Sequence, residues 1–199
     1  MNSELHYQER QRDYTPLGTV VLLWDYNRPE MAADLGGYRP APSYIVVRDG
    51  VLYHFFTLED EVGRAMAWAK RYGQVDITTK AADARAAIAE HEYLLADAPN
   101  QPPLQTIEAL FDSYWRLFPI LVAAIWVPQH ASDLVRPDVL EQLLQLRQAG
   151  ESVYKEGEGA LDQLLTRFEA ERGLEPSTLR WLTRIEFDQY LANGILPDV

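Results

Sequence analysis

The amino-acid sequence predicts an α+β protein that is mainly α, in which a small antiparallel β-sheet or hairpin packs on a bundle of five to six helices. Two patterns predict this fold class. The first is a pair of β-prone apolar segments that flank Asp49-Gly50, and the second is a change to helical spacing of the apolar residues after Thr57. The chain has 199 residues and 47% of them are hydrophobic, so it can bury a continuous core.

The predicted organisation is one domain with an N-terminal extension. Residues 1–16 contain few adjacent apolar positions and are expected to form a flexible arm. Residues 17–199 are expected to form a single α+β domain, with a β-rich part at 17–56 and a helical part at 57–199. The proline-rich segment 98–103 is the only plausible internal boundary. Each side of it alone offers few elements to cover the apolar faces of the other, so a single domain is favoured.

The β-rich part contains three strand-like segments. Residues 18–24 are β-branched and apolar, which predicts a buried strand. Residues 25–42 contain prolines and a glycine pair, which predicts a long irregular loop. Residues 43–48 and 51–56 are predicted to form a hairpin, because Asp49-Gly50 suits a two-residue turn in which both positions need positive φ.

The first two helices have clear boundary signals. Thr57 is a candidate N-cap for a helix over 58–72 that Gly73 ends. A second, alanine-rich helix is predicted over 79–96, because alanine has the highest helix propensity.

The third helix is predicted over 104–126 and is expected to be the central one. It is apolar nearly all round after Tyr114, which is typical of a buried helix. Pro119 is expected to kink it, since proline removes a backbone donor and clashes with the carbonyl one turn back. Pro128 is expected to end it.

The C-terminal third is predicted to contain three further helices. One begins near Pro137 and presents a leucine stripe before Gly150. The Glu-Gly-Glu-Gly segment at 156–159 is expected to break or weaken the helical pattern, and a fifth helix follows it and ends at Gly173. The last is a short helix with a capping box at 183–186.

Composition and charge disfavour several classes of function. Thirty acidic against 18 basic residues give a net charge of −12, so nucleic-acid binding is not expected. The absence of cysteine excludes disulfides and thiol nucleophiles. The N-terminus does not resemble a secretory signal, and the longest uncharged apolar run, 117–127, is shorter than the roughly 20 residues of a spanning helix. A cytoplasmic protein without a membrane segment is therefore expected.

The sequence shows no catalytic motif and no metal site. None of the four histidines has a second histidine at metal-ligand helical spacing. His130 lies close to Ser132 and Asp133, but a catalytic triad draws its members from separate parts of a fold. The acidic run 59–61 is explained by the dipole of the helix that it begins. We predict no catalytic residue, no metal and no cofactor, with a stand-alone enzyme that uses His130 and nearby carboxylates as an alternative.

Aromatic residues beside arginines are the candidates for a ligand-binding site. On the third helix they either pack in the core or line a pocket in which Arg116 meets an anionic or planar ligand. The junction of the first strand with the long loop is a second candidate for a pocket rim. The candidate ligand-binding residues are Trp24, Arg28, Tyr114, Trp115, Arg116, Trp126 and His130.

Residues 43–197 resemble the central helical region of phosphoenolpyruvate-synthase-like, PEP-utilising phosphotransferases, which lies between the ATP-grasp domain and the swivelling phosphohistidine domain. The most specific part is 181–197, which is similar to the L-T-x-x-E-hydrophobic-x-x-Y-L-x-x-G-x-L-P run of that family. The segment 114–119 and the strand at 53–56 that leads into an acidic helix support the resemblance.

The resemblance implies a non-catalytic substrate-binding or scaffolding module. The chain has neither an ATP-grasp domain nor a histidine in a glycine- and threonine-rich loop, so no catalytic residue is carried across. We expect a small-molecule ligand and a partner protein that supplies those domains; any enzymatic role would be in a PEP-utilising phosphotransferase. A structural or assembly protein is the remaining alternative.

Overall fold

The computed structural model describes residues 7–12, 17, 35–38, 44–48 and 51–197. It confirms the predicted fold class: within these residues a small antiparallel sheet accompanies six α-helices. The strands are β1 (Tyr7–Arg12), β2 (Tyr44–Arg48) and β3 (Val51–Thr57), in the spatial order β1-β3-β2. The helices are α1 (Leu58–Tyr72), α2 (Ile77–Asp97), α3 (Pro103–His130), α4 (Pro137–Ala149), α5 (Glu151–Arg172) and α6 (Arg184–Asn193).

The sheet confirms the hairpin and corrects part of the predicted arm. Arg48 is paired with Val51, so only two residues connect β2 to β3. On the other side of β3, Tyr7 is paired with Thr57. Residues 7–12, which were expected to belong to a flexible arm, therefore form a strand, because β3 offers them a free edge. The predicted strand at 18–24 lies outside the described residues.

Helix α1 begins where the local signals predict. The Thr57 hydroxyl accepts a hydrogen bond from the Asp60 backbone at 3.2 Å, and Gly73 caps the other end. In α2 the N-cap is Asp76, whose carboxylate accepts a hydrogen bond from the Thr78 backbone at 3.0 Å. This cap starts α2 two residues before the predicted position.

Helix α3 is the central helix and packs against α1, α2, α4 and α5. It continues through Pro119 and Pro128 to His130, so the prediction that Pro128 ends the helix is wrong. Burial on several sides outweighs the loss of single backbone hydrogen bonds at the prolines. By length and composition α3 is also apolar enough to cross a membrane, with a mean hydropathy of 1.4 in a window that is 61% buried within the protein. Core helices of soluble proteins share this property.

Helix α5 corrects a second prediction. It runs without interruption through the Glu-Gly-Glu-Gly segment at 156–159. The buried side chains of Val153, Leu161 and Leu164 flank this segment on the packed face of α5. Their burial exceeds the cost of about 1 kcal/mol that each glycine adds to a helix.

Two apolar clusters fill the interior. The first lies between α1, α2, α4 and the second half of α3, and the second lies between the first half of α3, α5, the 3₁₀ turn Leu179–Trp181 and α6. Tyr114 and Trp115 are partly buried and contact both clusters. The middle of α3 is therefore where the two halves of the interior meet.

Candidate functional site

A cleft of about 270 Å³ opens beside the middle of α3, on the side that faces α2. Its rim is charged and its walls are apolar or small. The lining residues are Tyr72, Lys80, Asp83, Ala84, Ala87, Arg116, Pro119 and Ile120.

The sequence of α2 makes room for this cleft. Lys80, Asp83, Ala84 and Ala87 follow the spacing i, i+3, i+4 and i+7, so they share one face of the helix. Two of these four positions are alanine, which leaves space where α2 passes α3. Across the cleft, Pro119 has no backbone N–H and so cannot donate to the helix carbonyl one turn earlier.

Arg116 reaches across the rim of the cleft to α2. Nη2 of its guanidinium donates a hydrogen bond to Oε1 of Glu90 at 3.0 Å. The two side chains are 56% and 53% exposed, so water screens their attraction and the pair contributes little stability. The remaining N–H donors of Arg116 have no hydrogen-bond partner in the described part of the chain.

Lys80 supplies a second cation to the rim. It is exposed and forms no ion pair with any residue that the structure describes. Asp83 is the carboxylate of the lining and lies one turn along α2. The rim thus carries two positive charges and one negative charge, on a chain whose overall charge is −12.

A second polar cluster lies at the C-terminal end of α3, where it meets α1. Nε2 of His130 is 3.7 Å from Oε1 of the fully buried Glu61 side chain. The guanidinium carbon of Arg64 lies 6.0 Å from the centre of the Trp126 ring, and Arg64 is paired with the buried Asp60. Buried charged groups are rare unless they are paired or functional, so this cluster is a second candidate site.

Tyr38 ties the short described segment Leu35–Tyr38 to the second cluster. Its hydroxyl donates to Oδ1 of Asp60 at 3.1 Å. Burial, followed by the negative charge of Asp60 and this hydrogen bond, raises the pKa of Tyr38 to about 12. Gly63 makes the approach possible, because a Cβ atom there would lie 2.3 Å from the Tyr38 oxygen.

The structure separates the predicted site residues. Arg116 lines the α2–α3 cleft. Trp126 is ten residues farther along α3, about 15 Å away at the usual helical rise, and His130 lies one turn beyond Trp126. Tyr114 and Trp115 pack against Phe118, with ring centres 5.9 and 6.0 Å apart, and belong to the interior. The candidate residues of the third helix are therefore divided between two places on α3. Trp24 and Arg28 lie outside the described residues.

Sequence reasoning missed the α2 wall of the cleft and the burial of the α1 charges. The sequence signal for this wall is the i, i+3, i+4, i+7 spacing from Lys80 to Ala87. The acidic run at the start of α1 was assigned to the helix dipole alone. Asp60 and Glu61 are in fact 4% and 1% exposed.

His91 is buried between α2 and α3. Its Nδ1 lies 3.1 Å from Oγ of the buried Ser113, and Nε2 has no hydrogen-bond partner within the described residues. Burial lowers the pKa of His91 to about 4. Among the described residues no group of three histidines or carboxylates has a metal-binding arrangement.

A wider groove of about 580 Å³ runs between the segment Leu35–Tyr38 and the end of α1. Its cations, Lys70 and Arg71, lie in the last turn of α1. Basic residues there stabilise the helix dipole, which accounts for their position.

Comparisons of the chain with protein-family models, with curated proteins and with solved structures gave no match.

Proposed function

We propose that this protein is a non-catalytic binding module that holds a small molecule in the α2–α3 cleft. The observation that carries the proposal is the make-up of the cleft: small and apolar walls with charged groups at the rim. Ligand sites combine apolar surface with a few well-placed polar groups in this way. The volume of about 270 Å³ is slightly below the roughly 300–1,000 Å³ of pockets for drug-sized molecules, so the ligand is small.

The lining suits binding better than catalysis. Among the described lining residues there is no histidine, serine or threonine, the side chains that most often act as a base or a hydroxyl nucleophile. Arg116 and Lys80 instead offer fixed positive charge, which orients a ligand without reacting with it.

The resemblance of residues 181–197 to PEP-utilising phosphotransferases gives this binding role a context. The proposed module presents its ligand to a partner protein that carries the ATP-grasp and phosphohistidine domains. In this arrangement the reaction belongs to the partner, and the chain contributes binding and position.

The proposal is tested by titrating a library of small fragments into ¹⁵N-labelled protein and following the backbone amide signals by NMR. We expect binders to shift the signals of Ala84, Ala87 and Ile120. Ala87→Met should fill the cleft and abolish these shifts. Ala86→Met is the matched control, because Ala86 lies on the exposed face of the same helix. Binders that shift signals only elsewhere, or that bind Ala87→Met unchanged, would contradict the proposal.

A second candidate function follows from the pair formed by His130 and Glu61. A buried carboxylate can orient an imidazole as a general base when the two form a hydrogen bond. His130 and Glu61 are 3.7 Å apart, so the pair would have to move closer together to act in this way. This alternative predicts hydrolysis of an activated ester such as p-nitrophenyl acetate that is lost in His130→Gln and kept in Gln129→Ala. Equal rates in the two variants would eliminate it.

A further inference from the structure

We infer that the ligand of the α2–α3 cleft is a small organic anion, with a carboxylate or phosphate group and a compact apolar body, and that it replaces Glu90 on Arg116. This inference rests on the proposed function and specifies its ligand.

The lining of the cleft concentrates positive charge. On a strongly acidic chain, two cations from different helices, Lys80 and Arg116, line one small cleft. Neither cation belongs to the last turn of its helix, so the helix dipole does not account for them. Asp83 is the one acidic lining residue, so the second positive charge of the lining is balanced only by Glu90, which pairs with Arg116 from outside the lining.

Arg116 is held by one exposed ion pair. It uses a single Nη2 contact to Glu90, and both side chains are more than half exposed. A guanidinium binds a carboxylate or phosphate best through two parallel hydrogen bonds, and that mode is open to Arg116. An incoming anion can therefore replace Glu90 by making more hydrogen bonds than Glu90 makes.

The interior of the cleft suits an apolar group. Ala84, Ala87, Pro119 and Ile120 offer apolar or small surface below the charged rim. An inorganic ion alone would leave this surface in contact with water. A ligand that joins an anionic group to a small apolar body would contact both parts of the cleft.

Three probes of similar size distinguish the contribution of the anionic group from that of the apolar ring. Benzoate and phenyl phosphate carry the anionic group on an apolar ring, and benzamide is the neutral counterpart of benzoate. Each is titrated into the intact ¹⁵N-labelled chain, and the dissociation constant is obtained from the shifts of Ala84, Ala87 and Ile120. We expect one or both anions to bind in the cleft at least tenfold more tightly than benzamide.

Four variants test the roles of the two charged residues. Arg116→Gln should weaken binding of the anions about tenfold or more, because it removes charge-assisted hydrogen bonds. Glu90→Gln should tighten binding about two- to five-fold, because it removes a weak competitor. Arg136→Gln and Asp138→Asn are the controls. They alter an equally exposed pair, 3.0 Å apart and 57% and 60% exposed, that lies outside the cleft, so binding should stay within about twofold.

The outcomes distinguish this inference from the function on which it rests. The inference of an anionic ligand is wrong if benzamide binds in the cleft as tightly as the anions. It is also wrong if Arg116→Gln or Glu90→Gln leaves anion binding unchanged. In either case the proposed binding function is not contradicted. If no probe and no fragment shifts the cleft signals, both are wrong.

Discussion

Arg64 and Asp60 lie one turn apart on α1 and form an ion pair in which the side chains are only 3% and 4% exposed. Nη2 of Arg64 is 2.5 Å from Oδ2 of Asp60, and Nε donates to the same oxygen at 2.6 Å. Tyr38 donates to the other carboxylate oxygen. The pair thus links α1 to the segment Leu35–Tyr38, which precedes β2 in the sequence.

Removing one member of this pair should destabilise the protein strongly. Arg64→Met leaves a buried carboxylate without its cation, so we expect the free energy of unfolding to fall by about 3–5 kcal/mol. The double variant Asp60→Leu/Arg64→Met should lose clearly less than the sum of its two single variants, because no buried charge of the pair remains. Urea denaturation measures all three. Simply additive losses would show that the two charges do not depend on each other.

Gly63→Ala should lower stability although alanine is the better helix former. The new Cβ would lie 2.3 Å from the Tyr38 hydroxyl and push it away from Asp60. We expect a net loss of about 1 kcal/mol, the difference between a hydrogen bond to a charged group and the gain in helix propensity. Two ring carbons of Tyr38 would also lie 2.6 and 2.7 Å from the new Cβ. In a Tyr38→Ala background, where both the hydroxyl and the ring are absent, the same change should therefore cost less or become stabilising.

The titration of Tyr38 provides a second measure of that contact. Its pKa of about 12 depends on burial and on Asp60. In Gly63→Ala the hydroxyl loses the carboxylate, so one tyrosine should ionise closer to the usual value of about 10. Absorbance of tyrosinate detects this change. An unaltered titration curve would mean that Tyr38 keeps its contact.

Stability should fall between pH 7 and pH 4.5 because of His91. Burial lowers its pKa to about 4 in the folded state, whereas an unfolded histidine has a pKa of about 6.5. As the pH falls below about 6.5, the unfolded state therefore takes up the proton first, and folding loses about 2–3 kcal/mol by pH 4.5. His91→Gln should reduce this pH dependence. If wild type and variant lose the same amount, other groups are responsible.

Two glycines should respond in opposite ways to alanine. Gly159 lies inside α5 with nothing within 4 Å of a new Cβ, so Gly159→Ala should stabilise the protein by about 1 kcal/mol. At Gly150, between α4 and α5, the Cβ would lie 2.5 Å from the Leu121 side chain. Gly150→Ala should therefore destabilise by about 1–3 kcal/mol. Thermal unfolding of the two variants tests both signs, and a shared sign would contradict the packing described for α5.

The boundaries predicted correctly are those set by neighbouring residues. The capping box of α6 is present, with Thr183 accepting from the Glu186 backbone and Glu186 accepting from that of Thr183. Gly173 ends α5 with a φ of 66°, a conformation that glycine adopts without strain. Such signals act within four residues, so the sequence alone contains them.

The predictions that failed concern burial between distant segments. Pro128 and the glycines of α5 are helix breakers by propensity, but the packing around them keeps both helices continuous. Likewise, the aromatic neighbours of Arg116 on α3 made it a predicted ligand-binding residue. Lys80 lies on the opposite wall of the cleft and was not predicted. Which face of α2 meets α3 depends on the packing of the whole bundle, and no local pattern of residues determines it.

The most direct test of the binding site is a crystal structure of the protein grown with benzoate. The ring should lie against Ala84, Ala87 and Ile120, with both carboxylate oxygens about 3 Å from the Arg116 guanidinium and Glu90 turned away from it. A structure in which benzoate binds elsewhere, while Arg116 remains on Glu90 beside an empty cleft, would contradict the proposed ligand site.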